Sequence, residues 1–386
     1  MNIYLTGNRA LALLRESRRR GAPPLCEETA DAATPFEGKT PPLERLERVA
    51  PLSFANVSAY RPIDVVFPDR GSRRDSVSVR CHTCGTARAG SFVRLGVSPR
   101  ELEVAGLPSD LRVYVDSPGR AFLVAAQTLS RLMRAGRIDR YEAFLRLLSL
   151  GSELCGTYAR HPADPHGEKV EYLLPRVAEA DDIRGYLSLC KGARGLTLAA
   201  DAAKYLVDGM RSPLECELYF ALTLPPRLGG IGFPRPLVNE PLESGEGEAV
   251  GEGATGTRGS VRYEPSFFRH DEITPDLQWP LPERGLVVEV DGYLGHSGRE
   301  AFVNDRLRDQ DYKACGYEVL RFTYENMANA GELEKALALV IGVAEPWLSE
   351  SRAENLRKNL RNPNASGLRA TLTSVMGPSR KTETSD

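Results

Sequence analysis

The run GLVVEVDGYLGH, Gly285 to His296, leads an apolar segment into two carboxylates, Glu289 and Asp291, two residues apart. In a strand, residues i and i+2 share a face, so Val287, Glu289 and Asp291 point one way while Leu286, Val288 and Val290 point the other. Acids held this close raise each other's cost of ionisation unless a cation sits between them. A third acid, Asp276 in ITPDLQWP, lies on the preceding predicted strand, within reach of a hairpin partner. Asp276, Glu289 and Asp291 are therefore expected to converge on a hard divalent ion, Mg2+ or Mn2+. Magnesium takes one or two protein carboxylates and leaves room for substrate phosphate oxygens. The chemistry that suits such a set is hydrolysis of a phosphodiester, in which the ion polarises the phosphoryl oxygen and lowers the pKa of the attacking water.

The elements expected to position these acids begin at Arg211. Ser212, Pro213 and Glu215 form an S-x-x-E signature with proline at the first helical position. Residues 240–260, rich in Gly and Glu, read as a flexible insertion. Strands are expected at Val261 to Phe268, Ile273 to Trp279 and Leu286 to Asp291, then a helix from Arg299 to Ala314 stopped by Gly316, a strand at Tyr317 to Thr323, and a helix from Glu332 to Val343. This defines a domain over 211–347. Arg299, Arg306, Arg308, Lys313 and Arg321 add positive charge near the acids, as a protein holding DNA beside a metal requires. Residues 348–386 carry more Lys and Arg than Asp and Glu and few large apolar groups, and read as a disordered tail.

Residues 1–210 read as a separate mixed α/β region for recognition or regulation. Ile63 to Phe67 and Ser76 to Arg80 read as a hairpin, Val113 to Val115 as a strand, and Ser117 with Pro118 as the start of a helix; further helices are expected at Arg140 to Leu150 and Leu196 to Gly209. The fold class is α/β, or α+β. The net charge of -2 excludes a wholly cationic, histone-like surface and is compatible with a local basic groove. The first residues lack the apolar core of a signal peptide and no run is long enough to span a membrane, so a cytoplasmic protein is expected. Seven irregularly spaced cysteines suit reduced thiols. Cys81 and Cys84 form a C-x-x-C, but a structural zinc needs four ligands and no second close pair exists.

The pair Pro275-Asp276, followed by Glu289-Val290-Asp291, resembles the PD-(D/E)XK endonuclease superfamily. Glu289 to Gly292, His296, Asp305, Arg308, Gly316, Arg321 and Phe322 are more specifically similar to the domain related to very-short-patch repair endonucleases. The resemblance implies a restriction-endonuclease-like fold, a small central mixed sheet flanked by helices, and a metal-dependent DNA endonuclease. It implies Asp276 and Glu289 as metal ligands, Glu215 as the acid of the first helix, and His296 as the group that activates water or steadies the leaving group. Asp291 stands where the motif has lysine, which leaves the water-orienting role to His296, to a second metal, or to no residue. Upstream, the expected hairpin, SPGRAFLVAAQTL and LGSELCGTY look like the antitoxin-like regions that accompany such domains in bacteria. That likeness implies a defence or toxin-antitoxin setting with a protein partner.

Plainer readings stand beside these. Glu215 at the third position of a capping box serves capping alone. Asp291 before Gly292 makes a turn, and a loop histidine such as His296 is usually solvated. Asp305, Arg308 and Asp309 fit a surface charge group on one helix. A nuclease-like fold without activity would serve as a DNA-binding regulator or antitoxin, and an interaction protein would use neither metal nor DNA.

Overall fold

Several helix starts are marked by a short polar side chain one residue before the first turn, among them Ser98, Ser117, Asp139, Ser212, Asn329 and Ser349. A computed structural model of the protein describes residues 2–19, 25–30, 43–49, 63–67, 79–83, 88–160, 170–242, 273–281, 285–291 and 299–377, without the side chains of 17, 19, 25–30, 43, 44, 47 and 299–305. The chain is mixed α/β and divides into two units, Met1–Asp208 and Gly209–Asp386. Among the described residues no helix is long and apolar enough to cross a membrane.

In the first unit the order is β1 (Asn2–Leu5), α1 (Gly7–Arg19), β2 (Leu25–Ala30), β3 (Ile63–Phe67), β4 (Val79–Thr83), β5 (Phe92–Leu95), α2 (Pro99–Val104), β6 (Arg112–Asp116), α3 (Pro118–Arg134), α4 (Arg140–Cys155), β7 (Ala159–Arg160), β8 (Val170–Glu171), α5 (Ala180–Leu189) and α6 (Leu196–Ala203). The main sheet runs β2-β5-β6-β1-β3-β4. Its apolar side, including Ile3, Val65, Val113 and Val115, packs with Ala10, Leu13 and Leu102. Ser117 and Pro118 start α3 as the sequence predicts, with the Ser117 side chain accepting from the Arg120 amide. The predicted hairpin at 63–80 is overturned: β3 and β4 pair in parallel, Ile63 opposite Val79 and Asp64 opposite Arg80. The polar run Pro68 to Asp75 reads as a turn, yet β4 begins only at Val79, and residues 68–78 are long enough for the connection of about a dozen residues that a parallel pair requires.

Arg18 on α1 is buried and ties α1 to the end of α4, donating to the carbonyls of Glu153 (2.9 Å), Gly156 (2.7 Å), Tyr158 (2.8 Å) and Pro175 (2.6 Å). These include carbonyls that a helix end leaves without internal partners. Arg18→Ala is expected to destabilise the protein by about 2–4 kcal/mol, because the carbonyls stay buried and lose their donor; far-UV circular dichroism in urea measures it.

The second unit runs α7 (Pro213–Thr223), β9 (Leu237–Val238), β10 (Leu277–Trp279), β11 (Gly285–Asp291), α8 (Arg299–Ala314), β12 (Tyr317–Thr323), α9 (Ala330–Ala344), α10 (Glu350–Leu360) and α11 (Pro363–Met376). Its sheet is ordered β12-β11-β10-β9, with β9, β10 and β11 antiparallel in turn and β12 parallel to β11. A parallel neighbour needs a crossover, and α8 supplies it. The α8 helix packs on the face that carries Val287, through Tyr312 and Cys315. Gly316, at φ +82, stops α8 in the left-handed region that glycine adopts without cost. Gly285 starts β11 where a Cβ would meet the Tyr317 ring at 2.1 Å.

Two expectations for this unit change. The insertion predicted at 240–260 does not begin at Glu240, whose carbonyl accepts from Gln278, nor before Leu242, whose amide donates to Ile273. Residues 243–272, including the predicted strand Val261 to Phe268, lie outside the described residues. The disordered tail expected over 348–386 is overturned across α10 and α11. Arg369 on α11 is fully buried and donates to Glu334 on α9, to the Leu360 carbonyl and to the Gly229 carbonyl. Its charge, which suggested a solvated run, is spent inside the fold. Asn359 and Arg352 on α10 hold the turn at Ile231 and Gly232, and α11 packs on α7.

Candidate functional site

Strand register assembles the site. Leu277 pairs with both Val288 and Val238, so one step earlier Asp276 lies opposite Glu289 on β11 and Asn239 after β9. Glu289 in turn pairs with Arg321 on β12. Asn239, Asp276, Glu289 and Arg321 therefore form one row across the sheet, and directly paired residues share a face. The Asn239 amide donates to the Asp276 carbonyl at 3.0 Å, which continues the pairing.

Asp276 and Glu289 are brought together. Their carboxyl groups act on each other's charge, and the Asp276 Oδ2 accepts from the Val290 amide at 2.8 Å. Burial, with the Glu215 and Glu289 carboxylates alongside, holds Asp276 well above the usual carboxylate range. Burial also raises Glu289, which is 3% exposed; the Tyr312 hydroxyl, donating to its Oε1, and the Arg308 and Arg321 guanidinium groups work against that rise. The same contact and burial push the Tyr312 phenol upward.

Glu215 joins them from α7. The Ser212 hydroxyl accepts from the Glu215 amide at 3.0 Å, but the Glu215 carboxylate does not complete the reciprocal capping box. It accepts instead from the Arg211 amide (3.0 Å) and from Asn239 Nδ2 (2.9 Å). Burial raises its pKa, and those donors oppose the rise. Asn239 also donates to the Gly209 carbonyl, and its backbone is left-handed at φ 50.

Asp291 takes a different position. Its oxygens lie 3.0 and 3.3 Å from Arg321 Nη1, while Asp309 of α8 accepts from Arg321 Nε (3.0 Å) and Nη2 (2.9 Å). Arg321, expected to meet DNA, is thus partly buried and held between two carboxylates. Asp309, expected in a charge group along its own helix, reaches across to β12 instead. Arg306, Arg308 and Lys313 are exposed on α8, and the charge of Arg308 acts on Glu289. Arg299 lies on α8 with its side chain outside the described residues, as are the side chain of Asp305 and all of His296.

The donors are oxygens, the preference of a hard cation. Asn239 Oδ1 is buried and accepts no hydrogen bond among the described residues, and Glu215, Asp276, Glu289, Asp291 and Asp309 outnumber the guanidinium groups of Arg211, Arg308 and Arg321 that act on them. Among the described residues no group of three or more His, Cys, Asp or Glu surrounds a single point. Two carboxylates, Asp276 and Glu289, meet across the strands here, and magnesium usually takes one or two protein carboxylates. Elsewhere, His82 is engaged by Asp64 at 2.6 Å and Cys81 is buried in β4; Cys84 lies outside the described residues.

Two residues of the site escape a sequence reading. Tyr312 is a tyrosine on a helix face, indistinguishable from core until Glu289 is seen beneath it. Asn239 carried one usable signal, since asparagine is among the few residues that tolerate a left-handed backbone. No family model, curated protein or solved structure matches this chain.

Proposed function

We propose that the second unit is a metal-dependent DNA endonuclease of restriction-endonuclease-like fold, with the first unit serving recognition or regulation in a bacterial defence or toxin-antitoxin setting. The observation that carries this reading is the pair of Asp276, partly buried just before β10, and buried Glu289 opposite it on β11, each acting on the other's charge within an excess of acid. Acids at such positions are costly without a cation. The element order supports the reading: a helix with Glu215, three antiparallel strands, the α8 crossover and a parallel β12.

Asp276 and Glu289 would hold the Mg2+ or Mn2+ ion, which when bound supplies charge stabilisation at a phosphoryl oxygen and a more acidic water. The Tyr312 hydroxyl fixes one oxygen of Glu289. Arg308, with Arg306 and Lys313 exposed on the same helix, supplies cationic contacts for a phosphate backbone.

The test is plasmid cleavage with Mg2+ or Mn2+ by the wild type and Glu289→Gln. The expected result is nicking or linearisation that the substitution lowers at least about 100-fold. Equal cutting by both would remove the site. A nuclease-like DNA binder without activity is the second reading, favoured by Asp291 being engaged with Arg321 where the motif lysine would stand; it predicts salt-dependent DNA binding that ignores added metal.

A further inference from the structure

We propose that Asp291, together with Asp309, is a positioning residue that fixes the Arg321 guanidinium beside Glu289, so that the positive charge of the site stands on the neighbouring strand. The inference rests on the hydrolytic reading above and reassigns Asp291, which the sequence placed among the metal ligands.

Three observations carry it. The register sets Arg321 directly across from Glu289, on the same face of the sheet. Asp291 meets Nη1 while Asp309 meets Nε and Nη2, so the planar fork is gripped from two edges and its direction is set. The guanidinium side chain is 19% exposed against 34% and 27% for its two acids, so the clamp lies at the rim with the cation on its inner side. A single ion pair at a surface contributes little to stability; a partly buried cation held by two carboxylates of different elements contributes direction.

The charge balance agrees. An unshielded arginine beside a divalent ion would repel it. Two carboxylates around one guanidinium leave the trio net negative, so a metal at Asp276 and Glu289 and a fixed cation beside Glu289 are compatible. Asp291 is two residues beyond Glu289 on the same face, which is where a lysine would reach the same space along its own strand. Here the acid at that position recruits a cation from β12, and α8 supplies the second grip.

The experiment compares wild type, Asp276→Asn, Asp291→Asn, Asp309→Asn, Arg321→Lys and the double variant Asp291→Asn/Arg321→Lys. Mn2+ affinity is measured by calorimetry, and kcat and KM by plasmid cleavage. The clamp predicts that Asp291→Asn and Asp309→Asn each keep Mn2+ affinity within about threefold while kcat falls roughly tenfold or more, and that the double variant is no worse than Arg321→Lys alone, as expected of residues acting in series. A tenfold loss of Mn2+ affinity in Asp291→Asn, with Asp309→Asn unaffected, would make Asp291 a ligand and overturn the proposal. So would losses that multiply in the double variant. If the wild type neither binds Mn2+ nor cuts, the hydrolytic reading falls and takes this inference with it. That result is distinct from the clamp's own failure, in which wild type binds and cuts, Asp276→Asn does neither, and Asp291→Asn loses the ion.

Discussion

Metal-free Asp276→Asn protein is expected to unfold at a higher temperature than the wild type at pH 8, with the difference shrinking toward pH 4. Burial and two neighbouring carboxylates raise the Asp276 pKa above its unfolded value. A group raised in this way contributes stability that is complete below the unfolded pKa and is lost as pH climbs through the folded one. At pH 8 the folded wild type must either ionise Asp276 among acids or hold a proton against the solvent. Asparagine has the shape of the protonated acid: its oxygen can accept from the Val290 amide and its nitrogen can donate to Glu289. The gain over the wild type should appear as a larger rise in melting temperature at pH 8 than at pH 4. Mn2+ reverses the ranking: at 100 times its Kd it should stabilise the wild type by about 2.7 kcal/mol and the variant by nothing. Thermal melts at several pH values, with and without Mn2+, measure both. A variant that melts below the wild type at pH 8, or that still responds to Mn2+, would remove the Asp276 assignment.

Arg369→Ala should destabilise the second unit by about 3 kcal/mol, among the larger losses a single truncation produces. The guanidinium bridges Glu334 on α9, the end of α10 and the turn at Gly229, and alanine leaves the two carbonyls buried without that donor. Trp279, buried with its indole nitrogen donating to the Pro234 carbonyl, reports this unit by fluorescence in urea. A midpoint unchanged from the wild type would mean that α11 contributes no packing.

Elements with strong periodicity were readable before any coordinates. The bounds of α8 and β12 follow directly from REAFVNDRLRDQDYKA, the glycine stop at Gly316 and YEVLRFT. Ser212-Pro213 gave the start of α7, and the pairing of Asp276 with Glu289 followed from strand alternation and spacing. Other features depend on what lies across the fold. Polar residues between β3 and β4 gave length but not direction. The charge of Arg369 looked like solvent exposure because its acceptors, Glu334 and two carbonyls, are remote in sequence. Asp291 reads locally as one more acid beside Glu289, and its ion partner Arg321 on the next strand shows only in the fold. For Arg369 and Asp291 the helix or strand was local, while the ion partner lies far along the chain.

Position 239 admits very few alternatives. Its backbone twist suits glycine, asparagine or aspartate, while the bond to Glu215 demands an N–H from the side chain. Glycine would preserve the bend and abandon the bond, glutamine the reverse, and aspartate would set a fourth negative charge against three. Only asparagine meets both demands, so any naturally diverged copy of this protein that drifts there is expected to have lost or rebuilt the acid on α7 as well.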